Sequence, residues 1–158
     1  MEQQPQLNDH NKQEYPPMHT AEHLLNATMV KTFGCSRSRN AHIERKKSKC
    51  DYVLASCPTE TEIESIENKV NEVIRQNLPV TIAFMSQDQA KEIVDLSKLP
   101  EEASETLRIV RIGEYDACAC IGLHVNNTSE IGTFKIISHD YDEERNTLRI
   151  RFKLLNNA

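Results

Sequence analysis

Apolar residues recur along this chain with two different periods, and the change of period separates expected helices from expected strands. Between Met18 and Phe33, the positions Ala21, Leu24, Leu25, Thr28 and Met29 fall three and four apart, and Val30 and Phe33 widen the stripe. Pro16-Pro17 stands before this run and Gly34 just after it, the usual punctuation of a helix. So little of its second half is polar that the helix is predicted to be central and buried on most sides. A second helix with one apolar face is predicted from Ile63, Ile66, Val70, Val73 and Ile74. Thr59 and Glu62 ahead of it have the spacing of a capping box, as do Ser86 and Gln89 ahead of a short helix expected to end near Asp95.

Elsewhere the pattern alternates. AHIERKKSKCDYVLAS predicts two strands joined by a basic turn, closed off by Pro58-Thr59; LPVTIAFM, LRIVRIG and YDACAC follow as strands. GTFKIIS and TLRIRFKL predict a final hairpin around DYDEERN. In the last strand Leu148, Ile150, Phe152 and Leu154 face one way and Arg149, Arg151 and Lys153 the other, so one face is core and the other a basic surface. Strands paired in hairpins, with helices interspersed and no βαβ regularity, place the chain in the α+β class with an antiparallel sheet.

Composition narrows the picture. A length of 158 residues suits one domain with its own core, expected over residues 17–155. Residues 1–16 are polar, carry no apolar stretch of the kind a signal peptide needs, and are expected to form a loosely attached leader. No apolar run approaches the roughly 20 residues that span a membrane. Five cysteines at irregular spacings argue against a disulfide framework and for a reducing compartment, the cytoplasm. Nothing in the pattern bears on oligomeric state.

Net charge is −5, but the distribution is uneven. Residues 58–105 hold eleven acids against four bases. By contrast Arg37, Arg39, Arg45, Lys46, Lys47 and Lys49 lie within one short stretch broken only by Glu44, a patch able to meet a phosphate backbone or simply a solvated hairpin.

The candidate chemistry begins with His19 and His23, four apart on the central helix and so one turn apart on a single face. Two imidazoles placed this way can share a metal ion. Cys120 and His124, in CACIGLHV, supply a second half-site, with Gly122 permitting a tight reversal between them. Thiolate and imidazole are the ligand types zinc favours. Cys118 shares a strand face with Cys120 and is an alternative ligand. Glu22 and Asn26 lie beside the histidine stripe, where they are candidates to orient water or substrate. His19-Thr-Ala-Glu22-His23 also has the H-x-x-E-H form of inverzincin proteases, but that class would need a carboxylate as its further ligand.

The string HTAEHLL, followed far downstream by Cys-x-x-x-His-Val and NTSEIGTFKI, resembles the editing domain shared by alanyl- and threonyl-tRNA synthetases. The similarity is greatest to the small free-standing alanyl-tRNA editing proteins. It runs from residue 18 to about residue 154 and includes KCDY and the final LRIRF strand. It implies that His19, His23, Cys120 and His124 hold Zn2+ on a helix cradled by an antiparallel sheet. It further implies a trans-editing hydrolase that removes serine, or sometimes glycine, from mischarged tRNA, foremost Ser-tRNA(Ala). Glu22 and Asn26 would then line the catalytic site, and Gly122 would contact the substrate. Arg37, Arg39, Lys46 and Lys47, with Arg149 and Arg151 behind them, would meet the phosphates near the acceptor end.

One departure stands out. Alanyl-type domains carry Cys-Gly-Gly-Thr-His where this chain has Cys120-Ile121-Gly122-Leu123-His124, so Leu123 replaces a threonine. The threonyl type is similar to Cys-x-Gly-Pro-His. Editing of Ser-tRNA(Thr), and a tRNA-binding module that lacks the chemistry, therefore stay open, as does the choice between zinc activating water and zinc positioning substrate.

Overall fold

The first helix, α1 (Pro16–Phe33), forms where the apolar period predicts it, with proline in its first turn. Its N-terminal amides find Tyr15 O, which accepts from Met18 N and His19 N at 3.0 Å each. The helix stops at Gly34, whose φ of 70° is left-handed, and whose N–H returns to Val30 O. A side chain at that φ would be strained, so glycine ends the helix on conformational grounds. The computed structural model describes residues 15–38, 40–44, 46–91, 106–120 and 122–155. Most of the expected leader and the far end of the expected third helix, including Asp95, lie outside them.

After α1 come β1 (Asn40–His42), β2 (Ser48–Val53) and α2 (Glu60–Ile74). The chain continues through β3 (Val80–Ser86), α3 (Gln87–Ala90), β4 (Thr106–Ile112) and β5 (Asp116–Ala119). A 3-10 turn at Thr128–Glu130 leads to β6 (Thr133–Asp142) and β7 (Thr147–Leu155). Both capping boxes form: Glu62 N donates to Thr59 Oγ1 while Thr59 N donates to Glu62 Oε1, and Gln89 and Ser86 do the same. Among the described residues the third helix spans Gln87–Ala90.

Two of the expectations need correction. Among the described residues the strands form two antiparallel sheets rather than one, β1-β2-β7-β6 and β3-β4-β5. The final hairpin is also longer: Asp140, Tyr141 and Asp142 belong to β6, paired with Arg149, Leu148 and Thr147. Tyr141 fixes that extension by donating its hydroxyl to Leu54 O at 2.7 Å. An extra residue bulges the pairing between Ile136 and Ser138.

The main core joins α1, α2 and the four-stranded sheet. Met18, Leu24, Leu25 and Met29 from α1 and Leu148, Ile150 and Phe152 from β7 are wholly buried within it. α2 shows the one-sided burial expected, with Ile63, Ile66, Val70, Val73 and Ile74 inward. α1 is buried far more fully, and its polar Thr20, His23 and Asn26 go inside with it. Buried polar groups must be paired or must serve a ligand. Thr20 and His23 face the chain at and after β5, whereas Asn26 faces Ser38 and Tyr52 of β2.

Candidate metal centre

His19, His23, Cys120 and His124 come together, each offering one ligand atom, with all four atoms within 4.8 Å of one another. Two ligands come from the first two turns of α1. The other two come from the segment that leaves β5. Cys120 Sγ lies 3.5 Å from His19 Nε2 and 3.5 Å from His124 Nε2. Tetrahedral zinc with bonds of about 2.0–2.3 Å holds its ligand atoms roughly 3.3–3.8 Å apart, and these two sulfur–nitrogen spacings fall in that range.

The other ring nitrogen of each histidine has a polar group opposite it. His19 donates Nδ1–H to Leu123 O at 3.1 Å, and His124 donates Nδ1–H to Thr20 Oγ1 at 2.9 Å. His23 Nδ1 faces Asp116 Oδ2 at 3.5 Å, the long edge of hydrogen-bonding range. Partners of this kind fix a ligating imidazole's tautomer and leave Nε2 free to bind.

Electrostatics divide the four residues: burial opposes the charged form of His19 and His23, but contacts with Cys120 and, for His23, Asp116 outweigh it and raise both. Burial works against ionisation of Cys120, but hydrogen bonds from His124, His19 and His23 bring its thiol down to about 2. Burial lowers His124 to about 4, against the pull of its hydrogen bond to Cys120. A thiolate beside a neutral imidazole is the ligand state a divalent cation requires. Cys118, the alternative ligand, is instead raised by burial and donates its thiol to Ala119 O. It stands outside the four-residue cluster.

The loop between Cys120 and His124 is stapled by Arg108 of β4. One guanidinium nitrogen donates to both Cys120 O and Gly122 O, each at 2.8 Å. Gly122 is buried, and its N–H points at Cys120 Sγ, 3.4 Å away. Leu123 contributes its carbonyl to His19 while its side chain is 61% exposed beside the centre.

Glu22 Oε1 lies 4.0 Å from His19 Nε2 and 3.9 Å from His23 Nε2, so the carboxylate borders the cluster. Asn26 does not reach it. Its amide donates to Glu22 Oε2 at 2.8 Å, and its carbonyl oxygen accepts from Tyr52 OH at 2.7 Å and Ser38 N at 3.2 Å. Arg37 is forked onto Asp116, at 2.7 and 3.2 Å, which neutralises much of its charge. Lys46 and Lys47 are exposed at the turn between β1 and β2, and Arg39 lies outside the described residues. Arg149 is held by Asp51 and Arg151 by Asp140, while Lys153 lies opposite Lys135, so carboxylates offset part of the basic outer face of β7.

A family model for the second additional domain of threonyl and alanyl tRNA synthetases matches residues 107–151, which include Cys120, Gly122 and His124. The chain is 35% identical over 121 residues to the alanine–tRNA ligase of Fervidobacterium nodosum, covering 76% of this chain. Against the Bacillus subtilis alanine–tRNA ligase it is 32% identical over 134 residues, 84% of this chain. This chain is a relative of the editing domain of alanyl- and threonyl-tRNA synthetases. The matched stretches are 14% and 15% of those ligases' lengths, so the relationship concerns one region of much longer proteins.

Among residues of this editing-type domain, sequence reasoning missed Thr20, Asp116, Arg108 and Tyr52. Their types are ordinary, and only the fold brings Thr20 and Asp116 to the histidines, Arg108 to the Cys120–His124 loop and Tyr52 to Asn26. The one local hint was Asp116 in YDACAC, a carboxylate at the start of a strand that ends in a candidate ligand.

Proposed function

We propose that this chain is a trans-editing hydrolase: a single zinc-binding domain over residues 17–155 that deacylates mischarged aminoacyl-tRNA in the cytoplasm, foremost Ser-tRNA(Ala). The observation that carries this reading is the convergence of three imidazoles on one thiol, each with a polar group facing its other nitrogen, in a relative of synthetase editing domains. The donor set fits zinc. Bound there by His19, His23, Cys120 and His124, zinc would supply a Lewis acid for the ester carbonyl or a water of lowered pKa.

The residues around it divide the remaining work. Glu22 borders the ligands and is held in one rotamer by Asn26, so it can orient a water or take the amino group of the aminoacyl moiety. Asn26 is a positioning residue, since its amide is used by Glu22, Tyr52 and Ser38. Gly122 lies in the loop between Cys120 and His124, its N–H directed at Cys120 Sγ, and serves as a substrate contact. Lys46 and Lys47 remain the phosphate contacts in the described basic stretch that no ion pair claims, while Arg37 serves Asp116. An aminoacyl ester is an activated acyl group, so positioning and moderate electrostatic help suffice for its hydrolysis.

Leu123 supports a second reading, of a tRNA-binding module without turnover, because it puts an exposed alkyl group where related domains carry a hydroxyl. Deacylation of Ser-tRNA(Ala), Ser-tRNA(Thr) and Ala-tRNA(Ala) by the purified zinc-loaded chain decides between them. Release of serine from one tRNA, lost in Cys120→Ala, is expected, and it also identifies the tRNA. A folded, zinc-loaded chain that binds tRNA and releases nothing would establish the module instead.

A further inference from the structure

We propose that Asp116 and Arg37 are positioning residues that set the ring of His23 for metal binding, an inference that rests on reading the four-residue cluster as a metal centre. His23 is the most buried ligand, its side chain 4% exposed, and its Nδ1 has no hydrogen-bond partner shorter than its approach to Asp116. A buried ring N–H left unpaired is costly, so the ring turns the protonated nitrogen toward whichever acceptor is near. The carboxylate of Asp116, at 3.5 Å, is that acceptor. With the proton on Nδ1, the lone pair of His23 lies on Nε2, the nitrogen that faces Glu22 and the centre.

Asp116 is itself 5% exposed, and a buried carboxylate persists only with a counter-charge. Arg37 provides one in a two-point fork, NH1 to Oδ1 and NH2 to Oδ2. The fork does more than neutralise: two parallel contacts fix the plane of the carboxylate and thereby aim Oδ2 at the imidazole. The route by which Arg37 arrives is local. α1 ends at Gly34 with left-handed backbone, the chain turns back, and Ser38 N is pinned to Asn26 Oδ1 on the same helix. Arg37 is thereby held beside β5.

The pair is also a wall. On the side away from His23, Arg37 and Asp116 line a groove of about 650 Å³ between the end of α1 and the turn joining β4 to β5. Removing either side chain exposes the back of His23 to solvent, where water competes for Nδ1. A metal-ligating histidine with its acceptor removed typically loses 10–100-fold in metal affinity. Lysine cannot reproduce the fork, since it is a point charge without a second parallel donor.

The test is zinc affinity of the full chain by chelator competition, for wild type, Asp116→Ala, Asp116→Asn and Arg37→Lys. It is joined by the absorption of the cobalt-substituted forms and the 15N signals of His23. We expect about a 10–100-fold loss for Asp116→Ala. A smaller loss is expected for Asp116→Asn, which keeps an acceptor oxygen, and for Arg37→Lys. The expected spectroscopic signature is a mixed His23 tautomer and an altered cobalt spectrum in the alanine variant. Wild-type zinc affinity and an unchanged His23 tautomer in the variants, accompanied only by a lower Tm, would overturn the proposal and leave a packing role. If Asp116→Ala fails to fold, the asparagine and lysine variants decide the question by the same readouts. Absence of zinc binding by the wild-type chain would overturn the metal reading itself, and this inference with it.

Discussion

At the scale of single residues, the most heavily used side chain near the centre is Asn26, which touches no ligand. Three neighbours divide its amide: Glu22 takes the NH2 group, and Tyr52 and Ser38 share the oxygen. Tyr52 is 1% exposed, so its hydroxyl has no access to water. Truncation to alanine therefore strands two buried donors, at about 1–3 kcal/mol each, and frees Glu22 to change rotamer. Asn26→Ala is expected to lose about 2–4 kcal/mol in urea unfolding and to lower kcat for deacylation. Tyr52→Phe separates the two effects. It removes one donor cleanly and leaves the Asn26–Glu22 bond in place, so stability should fall by only about 1 kcal/mol with kcat unchanged. A large kcat loss in Tyr52→Phe would mean that Glu22 is not positioned through Asn26 alone. The same scale shows what local sequence conveys about a site. The four-residue cluster was legible because a helix repeats its face every three to four residues and because thiolate and imidazole are a recognisable set. Asn26 was legible as a neighbour of that stripe, but its role was not, since Tyr52 and Ser38 reach it from other elements.

At the scale of elements, the helices were readable from period and caps, and the strands from alternation. Their division into two sheets was not. Alternation says which residues share a face and nothing about which strand lies alongside, and β3 and β4 have no local feature that separates them from β2 and β7. Nor could the outer face of the larger sheet be read from β7 alone. On its own strand Arg149 belongs to a basic surface, yet the register places Asn40, Asp51, Arg149 and Asp140 directly opposite one another on the four successive strands. Asp51 accepts from Arg149 at 2.8 and 3.0 Å and from Asn40 at 2.9 Å. Its hydrogen bond with Arg149 is the chief reason its carboxyl is held below the usual 3.8, burial opposing and Asn40 assisting. A carboxyl depressed in the folded state stabilises fully above the unfolded value and loses that contribution as pH falls through the folded value. The stability gap between wild type and Asp51→Asn, followed by urea unfolding, should thus be constant from pH 7 to about 5 and shrink below about 4. A gap that stays the same down to pH 2 would show that the row acts by shape and not by charge.

At the scale of the whole molecule, the centre joins parts of the chain that are far apart in sequence, since His19 and Cys120 are 101 residues distant. One half-site belongs to the helix at the heart of the main core, and the other to the smaller sheet, whose own core is limited to Ala90, Leu107 and Ile109. Besides Thr28 with Tyr115, His23 with Asp116 and Thr20 with His124 and Val125, metal ligation is expected to act as a clasp between α1 and the β5 segment. A metal that binds only the folded chain stabilises it by about 2.7 kcal/mol when free at 100 times its Kd, and a linkage of that size appears as a rise in Tm. The location of the effect distinguishes a clasp from a general gain. β6 and β7 form the longest ladder and lie in the larger sheet, away from the ligands. Hydrogen exchange of the chelated chain should therefore accelerate in residues 116–125 and in the first two turns of α1, while residues 147–155 remain protected as in the zinc-loaded chain. Uniform acceleration across both sheets would mean that zinc stabilises one indivisible unit. No change anywhere, in a chain shown to have bound and then lost zinc, would mean that the protein builds the centre in full before the metal arrives. The three imidazole partners, Leu123 O, Thr20 and Asp116, argue for a middle result: rings already aimed, with the β5 half-site free to move relative to α1 until the ion draws it in.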